Sequence, residues 1–262
     1  SGRWHAAELG EQAVADGYQL IVAAGGDGTA HEVVNGLLTA SDGREAGTLG
    51  VIPIGSGSDF AHAAGVPADP RQACGRLARG ETRVVDVGRI SLDGEPPRYF
   101  DNTVGIGFDG VVTVEAQKVK HLRGVALYLP VVLKTVFLSF KAPRVTVEYD
   151  DKELALSALM VCIANGPREG GSFLVAPHAE PDDGLLDLCI ASEVGRLGML
   201  GLIPHFMQGS HVGREPITMA RARRVAVSSP DDLVVHADGE VLCTGGRRLE
   251  CEILPQRLRV LS

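Results

Sequence analysis

Apolar residues follow two rhythms along this chain, and the change between them falls near residue 86. Residues 5–17 read as a helix closed by Gly17, and Gln19 to Ala24 form a short apolar run that stops at Gly25-Gly26. An unbroken apolar run bounded by turn residues is the pattern of a buried parallel strand. Val33, Val34, Leu37 and Leu38 then recur at helical spacing, and Leu49 to Ile54 form the next buried strand, closed by Gly55-Ser56-Gly57-Ser58. Strand, helix, strand predicts a parallel α/β layer over residues 1–86. After Asp86 helices become scarce and alternating runs take over: Tyr99 to Val104, Arg144 to Tyr149, Ala155 to Ala164 and Leu185 to Ala191. Val225 to Ser228, Leu233 to Ala237, Leu249 to Leu254 and Leu258 to Leu261 continue the series. Period-two alternation marks half-buried strands, so residues 87–262 are expected to form a second, mostly antiparallel domain.

Composition narrows the class. With 262 residues and 45% hydrophobic content the chain can bury a sizeable core. The 25 basic and 33 acidic side chains leave a formal charge of −8, which argues against nucleic acid as a partner held by bulk electrostatics. Cys74, Cys162, Cys189, Cys243 and Cys251 are scattered, odd in number and without a Cys-x-x-Cys pair, so neither a zinc site nor a disulfide framework is indicated. A reducing, cytoplasmic setting fits them, and no secretory signal opens the chain. Arg123, Pro130 and Lys134 interrupt the apolar stretch from His121 to Phe140, which is therefore not expected to span a membrane. Leu122, Val125, Leu129, Val132 and Val136 lie there at helical spacing, flanked by Lys118, Lys120, Arg123, Lys134 and Lys141. An ordinary packed helix is the preferred reading, and a helix resting on an anionic membrane surface is the other.

The candidate chemistry lies where the predicted strands end. Gly25-Gly26-Asp27-Gly28-Thr29 sits between a strand and a helix, where glycines let backbone N–H groups approach phosphate oxygens. A carboxylate in such a loop repels a nucleotide unless a divalent cation lies between them, so Asp27 points to magnesium as well as ATP. The loop has neither the spacing nor the Gly-Lys-Ser/Thr of a P-loop. Gly55-Ser56-Gly57-Ser58-Asp59-Phe60 repeats the logic on the next strand, although alone it also reads as a helix start capped by Ser58 or Asp59. Gly105-Ile106-Gly107-Phe108-Asp109-Gly110 matches the dinucleotide pattern G-x-G-x-x-G but lacks the acidic ribose ligand downstream, and is expected to be a tight turn. Asp238-Gly239-Glu240 alone reads as a hairpin turn.

Together these residues resemble the diacylglycerol kinase catalytic domain and sphingosine kinase superfamily, in its bacterial lipid kinase form. The resemblance rests on Gly25 to Thr29 with Glu32, Val33, Asn35 and Gly36, on Ile54 to Ala61, and on Asp86-Val87-Gly88 and Gly105 to Asp109. It continues through Asn165-Gly166, Ala176-Pro177-His178-Ala179, Asp182 to Asp187 and Asp238-Gly239-Glu240, covering residues 11–261. It implies an α/β nucleotide domain with a parallel sheet, a mostly-β C-terminal sandwich domain, and an active site in the cleft between them. ATP would lie on Gly25, Gly26, Asp27, Gly28, Thr29, Glu32, Gly55, Ser56, Gly57, Ser58 and Asp59. Asp238 would be the catalytic base, since a lipid hydroxyl is a poor nucleophile until a carboxylate accepts its proton. Glu240 would point the same way if the stretch is extended, and with Asp27, Asp59 and Asp86 would surround a catalytic Mg²⁺. Asp183, with the carbonyls of Glu180 and Leu185, would hold a second, structural Mg²⁺. The partner implied is a lipid at a membrane surface, in phospholipid metabolism, for a cytoplasmic or peripherally bound enzyme; a homodimer is compatible with the sequence.

Two departures qualify the resemblance. Family members begin with a strand ending in an Asn-Pro-x-Ser-Gly-like turn, and no such segment precedes residue 11, so the chain is expected to be truncated. His62 stands where many relatives carry an arginine, and His31 replaces a common asparagine. The readings left beside a lipid kinase are an inactive nucleotide- or lipid-binding relative and, sharing only the first loop, an NAD kinase.

Overall fold

The computed structural model describes residues 2, 4–42, 47–118, 125–137 and 142–262. Its first part runs α1 (His5–Ala15), β1 (Leu20–Gly25), α2 (Asp27–Ala40), β2 (Thr48–Pro53), α3 (Asp59–Ala63) and α4 (Pro70–Arg79). β1 and β2 pair in parallel, with Leu20 opposite Thr48 and Gly25 opposite Pro53, so their glycine turns emerge side by side. Val34, Leu37 and Leu38 of α2 are fully buried beneath them, and burial of each such side chain contributes roughly 1.5–3 kcal/mol. α4 begins where the Asp69 carboxylate accepts the amides of Arg71 and Gln72, and ends at Gly80 in the left-handed region. β1 is not buried on both faces as its apolar run suggested: Leu20 and Val22 are 45% and 42% exposed. Among the described residues it pairs only with β2, which leaves it an edge strand.

The rest comprises β3 (Thr82–Leu92), β4 (Arg98–Phe100), β5 (Thr103–Gly107), α5 (Phe108–Ala116), α6 (Val125–Phe137), β6 (Arg144–Tyr149) and β7 (Lys152–Ala164). It ends with β8 (Leu186–Ser192), α7 (Arg196–Gln208), β9 (Ile217–Ala222), β10 (Arg224–Ala237) and β11 (Glu240–Leu261). β5 and β6 each lie antiparallel between β10 and β7, so the strands close around a core that includes Ile106, Val147, Val161, Ile163, Val227 and Val235. This is the β-sandwich expected of the second domain. Residues 225–237, read as two strands, form the single strand β10, and residues 240–261 form β11. Leu258 to Leu261, expected as a last strand of the second domain, pairs antiparallel with β3, and Arg259 to Leu261 pairs in parallel with β2, joining the first domain's sheet.

Helices are less scarce after Asp86 than the alternation implied, because α5, α6 and α7 cover one face of the sandwich. Gly105 to Gly110 is not a tight turn: it is the joint at which β5 passes directly into α5, with Gly107 at φ 86°. Val132 and Val136 of α6 are buried and Lys134 pairs with Glu115 at 2.8 Å, as in a packed helix. Lys120, Leu122, Arg123 and Lys141 lie outside the described residues. Among the described residues no helix is long and apolar enough to cross a membrane.

Candidate active site

The two glycine turns form one wall of a cleft of about 550 Å³, with Asn102, Thr103, Glu169 and the Asp238-Gly239-Glu240 turn opposite. Here glycine is required by proximity: a Cβ on Gly55 would stand 2.3 Å from Gly26 Cα, and one on Gly25 would strike Thr29 at 2.3 Å. α2 starts at Gly26 and directs its N-terminus at this space, supplying unpaired amides and the positive end of the helix dipole. Gly25, Gly26, Asp27, Gly28, Gly55, Ser56, Gly57 and Asp59 all line the cleft, as do Asp238 and Glu240.

Four carboxylates converge behind these turns. Asp27 Oδ1 accepts the Phe60 amide at 3.2 Å, tying the first turn to α3. Asp59 accepts the Gly171 amide at 3.0 Å and stands 2.9 Å from Arg168 Nε. Burial raises the Asp27 carboxyl, and burial together with the Asp27 charge pushes Asp59 up to about 6. A Cβ on Gly57 would lie 2.8 Å from Asp27 Oδ2 and 3.2 Å from Asp59 Oδ2, so glycine keeps open the space those two oxygens face. Two desolvated carboxylates that repel each other across an open space are a donor set suited to a hard divalent cation. Asp101 is buried, and burial, then the charges of Asp238 and Asp27, hold it well above the usual carboxylate range.

Asp238 sits at the turn between β10 and β11 with φ 49°, followed by Gly239 at φ 80°. The hairpin reading and the site reading of this tripeptide therefore both hold. Its side chain is fully enclosed. Oδ1 accepts the amides of Asn102 and Thr103 at 3.0 and 2.9 Å, and Oδ2 accepts the Asp101 amide at 3.0 Å and meets His31 Nδ1 at 2.7 Å. His31 lies one helical turn beyond Asp27 and is wholly buried, so α2 presents Asp27 and His31 on one face. The i, i+4 spacing was the available signal for this unassigned partner. The alternation argument for Glu240 does not apply, because positive φ at Asp238 and Gly239 breaks the extended stretch; Glu240 reaches the cleft beside Gly28 instead.

Several foreseen site residues are placed elsewhere. Both oxygens of Glu32 are occupied by the amides of Trp4 and Ala6, capping α1. Thr29 packs against Gly25 behind the cleft wall. Ser58 occupies the position before α3 without a side-chain cap, at φ 53°. Asp86 is fully buried, accepting the Gly184 amide at 2.6 Å and the Gln256 amide at 2.7 Å, and does not line the cleft. Asp183 accepts the Leu185 amide and is paired with the Arg221 guanidinium, while Glu180 is exposed. The Arg221 guanidinium thus stands beside Asp183, where the resemblance set a structural Mg²⁺.

A second cavity, about 80 Å³ and almost wholly apolar, lies between α5, α6, α7 and β7, lined by residues such as Val132, Val136, Met160, Met199, Leu202 and Phe206. Glu169 and Gly170 line both this cavity and the polar cleft.

An α/β layer with paired glycine turns, joined to a β-sandwich across a cleft rich in carboxylates, defines the two-domain kinase fold shared by lipid kinases and NAD kinases. Residues 1–90 match the diacylglycerol kinase catalytic domain, and residues 102–262 match the YegS C-terminal NAD kinase beta sandwich-like domain. A diacylglycerol kinase of Mycobacterium tuberculosis is 31% identical over 250 residues, which are 95% of this chain and 78% of the relative. A Pseudomonas aeruginosa protein named as a probable YegS-like lipid kinase is 33% identical over 251 residues, with the same shares. A crystal structure of a diacylglycerol kinase from Bacillus anthracis superposes with TM-score 0.72 at 22% identity, covering 100% of this chain and 82% of that one. An NAD kinase from Archaeoglobus fulgidus reaches 0.52 at 14%, over 96% and 80%, a likeness of fold alone. The chain belongs to the family of diacylglycerol kinases and YegS-like lipid kinases.

Proposed function

We propose that this protein transfers the γ-phosphoryl group of ATP to a hydroxyl of a lipid, of the diacylglycerol or sphingoid kind. The observation that carries this reading is the shared wall: a polar, glycine-lined cleft and an apolar cavity meet at Glu169-Gly170. A phosphate donor suits the first and an acyl chain the second, which brings head group and phosphate together. The names of the M. tuberculosis and P. aeruginosa relatives support the same acceptor class. At about 80 Å³ the apolar cavity is well below the roughly 300–1,000 Å³ of a ligand pocket, so it would hold only part of a long chain.

The amides at the start of α2 and the glycine turns bind phosphate oxygens. Asp27, Asp59 and Glu240 are the residues that would hold Mg²⁺, which neutralises phosphate charge during transfer. In the reaction the lipid oxygen bonds to phosphorus as the bond to the ADP oxygen breaks, and Asp238 takes the hydroxyl proton. Asp238 must exchange one of its four donors to do so, and His31, the only side chain among them, is the replaceable one. That full set of donors is also what favours the second reading, a nucleotide- and lipid-binding protein without turnover. The apolar cavity and free cysteines fit a cytoplasmic protein acting at a membrane surface.

Transfer of labelled phosphate from ATP with Mg²⁺ into mixed-lipid micelles tests the proposal, comparing the protein with Asp238→Asn. Loss of a general base lowers turnover by about 10²–10⁴-fold, and because an Asn NH₂ would face donors that the carboxylate now accepts, the variant's unfolding curve is measured beside its activity to separate a lost base from a lost fold. Absence of lipid product from the unmodified protein would leave the binding reading.

A further inference from the structure

Asp27, His31 and Asn35 recur at helical spacing along α2, so one face of that helix runs from the first glycine turn to the boundary with the second domain. Across that boundary the Asp238 carboxylate accepts the backbone amides of Asp101, Asn102 and Thr103, and lies against the Asp101 carboxyl, all within its own domain. The hydrogen bond from His31 Nδ1, at 2.7 Å, comes instead from the domain that carries the glycine turns. The side chains of His31 and Asp238 are both fully enclosed.

Asn35 determines which ring nitrogen of His31 carries the proton. Its Oδ1 accepts the Tyr99 amide at 2.9 Å, which fixes the orientation of the side-chain amide, and its Nδ2 donates to the carbonyls of Tyr99 at 2.8 Å and His31 at 2.9 Å. Both Nδ2 hydrogens are thereby committed, and the same nitrogen stands 3.4 Å from His31 Nε2. An amide nitrogen has no lone pair to offer, so a proton on Nε2 would be buried against a group that cannot accept it, which is costly. A proton on Nδ1 meets a carboxylate oxygen.

We propose that His31 is a positioning residue that carries a single proton, on Nδ1, and with it holds Asp238 in register with the glycine turns instead of relaying the proton that Asp238 takes from the acceptor. The inference rests on the lipid kinase reading and deepens it. A relay needs an imidazole that receives a proton on one nitrogen and passes one on from the other. His31 presents Asp238 with a donor, and among the described residues the polar group beside its other nitrogen is the Asn35 amide. What α2 supplies is separation: Asp27 and His31 stand one turn apart on a single helix, so the carboxylate that receives the hydroxyl proton is set at a fixed distance from the turns that receive the phosphate. The acceptor hydroxyl, on replacing Nδ1–H, meets a carboxylate whose place that bond has already fixed.

Two substitutions tell the ring nitrogens apart, because asparagine holds its Nδ2 on Cγ, where the imidazole holds Nδ1, and glutamine reaches one atom further, toward the place of Nε2. The test measures kcat and the KM values for ATP and a short-chain lipid in micelles for the unmodified protein, His31→Ala, His31→Asn and His31→Gln, each scaled to the folded fraction from its unfolding curve. Long-range proton–nitrogen correlation spectra of the unmodified protein identify the protonated ring nitrogen without reference to turnover, and the His31 signal is assigned by its loss in His31→Asn. It is expected in the Nδ1–H form. His31→Ala lowers kcat by about tenfold or more, the worth of one hydrogen bond to a charged group, with both KM values within about twofold of the unmodified protein. His31→Asn restores most of that loss and His31→Gln does not. A proton on Nε2 or on both nitrogens overturns the inference, as does rescue by glutamine, an equal loss of kcat in the three variants or an unchanged kcat in His31→Ala, and the kinase reading stands in each case. Absence of transfer by the unmodified protein overturns the kinase reading itself, and the inference with it.

Discussion

Burial and the neighbouring Asp109 push the Glu169 carboxyl from its ordinary 4.5 up to about 7, so the folded chain holds that proton more tightly than the unfolded one. The resulting stability is fully present below pH 4.5 and is lost as pH rises through about 7. His236, held well above its ordinary 6.5, has the same sign: its contribution is complete below 6.5 and fades only as pH rises through its higher folded value. Denaturant unfolding at a series of pH values is therefore expected to show stability declining from pH 4.5 to 7 in the unmodified protein and a flatter profile in Glu169→Gln. Equal slopes would mean that Glu169 titrates normally. At this scale the sequence was informative where a residue type is forced by close approach. Gly25, Gly26 and Gly55 are legible because no other residue permits the contacts they make. Glu32 and Asp86 are harder to place, because a carboxylate that caps a helix and one that meets a ligand look alike in sequence, and only the fold shows which amides each receives.

Among the elements, the crossing of α1 and α2 depends on small residues. A Cβ on Gly36 would stand 2.2 Å from the Ala7 carbonyl oxygen, and one on Gly10 would stand 3.3 Å from that of Val33. Alanine gains about 1 kcal/mol over glycine in helix propensity, whereas forcing two helix backbones apart costs about 1–3 kcal/mol. The clash is with backbone, so it is expected to win: Gly36→Ala lowers stability by up to about 2 kcal/mol in urea unfolding, and a gain would mean that α1 shifts freely. Hydrophobic period identified α2, β2, β6 and β7 closely, since each has one face in a core. It failed at β1, whose apolar run suggests two covered faces, and at β10 and β11, each read as two strands. β11 carries a register shift between Leu254 and Leu258, and β10 others after Ser228, so the alternation breaks although the strand does not. Nothing local reveals that the end of β11 crosses into the first sheet, a pairing between residues some 200 positions apart.

Asp86 joins these parts of the molecule. From β3 it receives the amide of Gly184, in the turn before β8, and that of Gln256, at the irregularity in β11, while Arg83 on the same strand pairs with Asp182 at 2.8 Å. The carboxylate thus fastens the first domain's sheet to the sandwich at a point that does not line the cleft. The family resemblance set Asp86 among the ligands around a catalytic Mg²⁺, and the two roles give opposite results. If the role is mechanical, Asp86→Ala strands two buried amides and lowers stability by about 3 kcal/mol. The folded fraction then keeps its Mg²⁺ dependence. If Asp86 instead acts through the metal, removing an outer ligand weakens metal affinity by about 10–100-fold, and the Mg²⁺ concentration for half-maximal transfer rises accordingly. Unfolding curves and Mg²⁺ titrations of the same preparation separate the two. The hydrogen bonds favour a large stability loss with an unchanged titration, because both carboxylate oxygens are already committed to backbone amides.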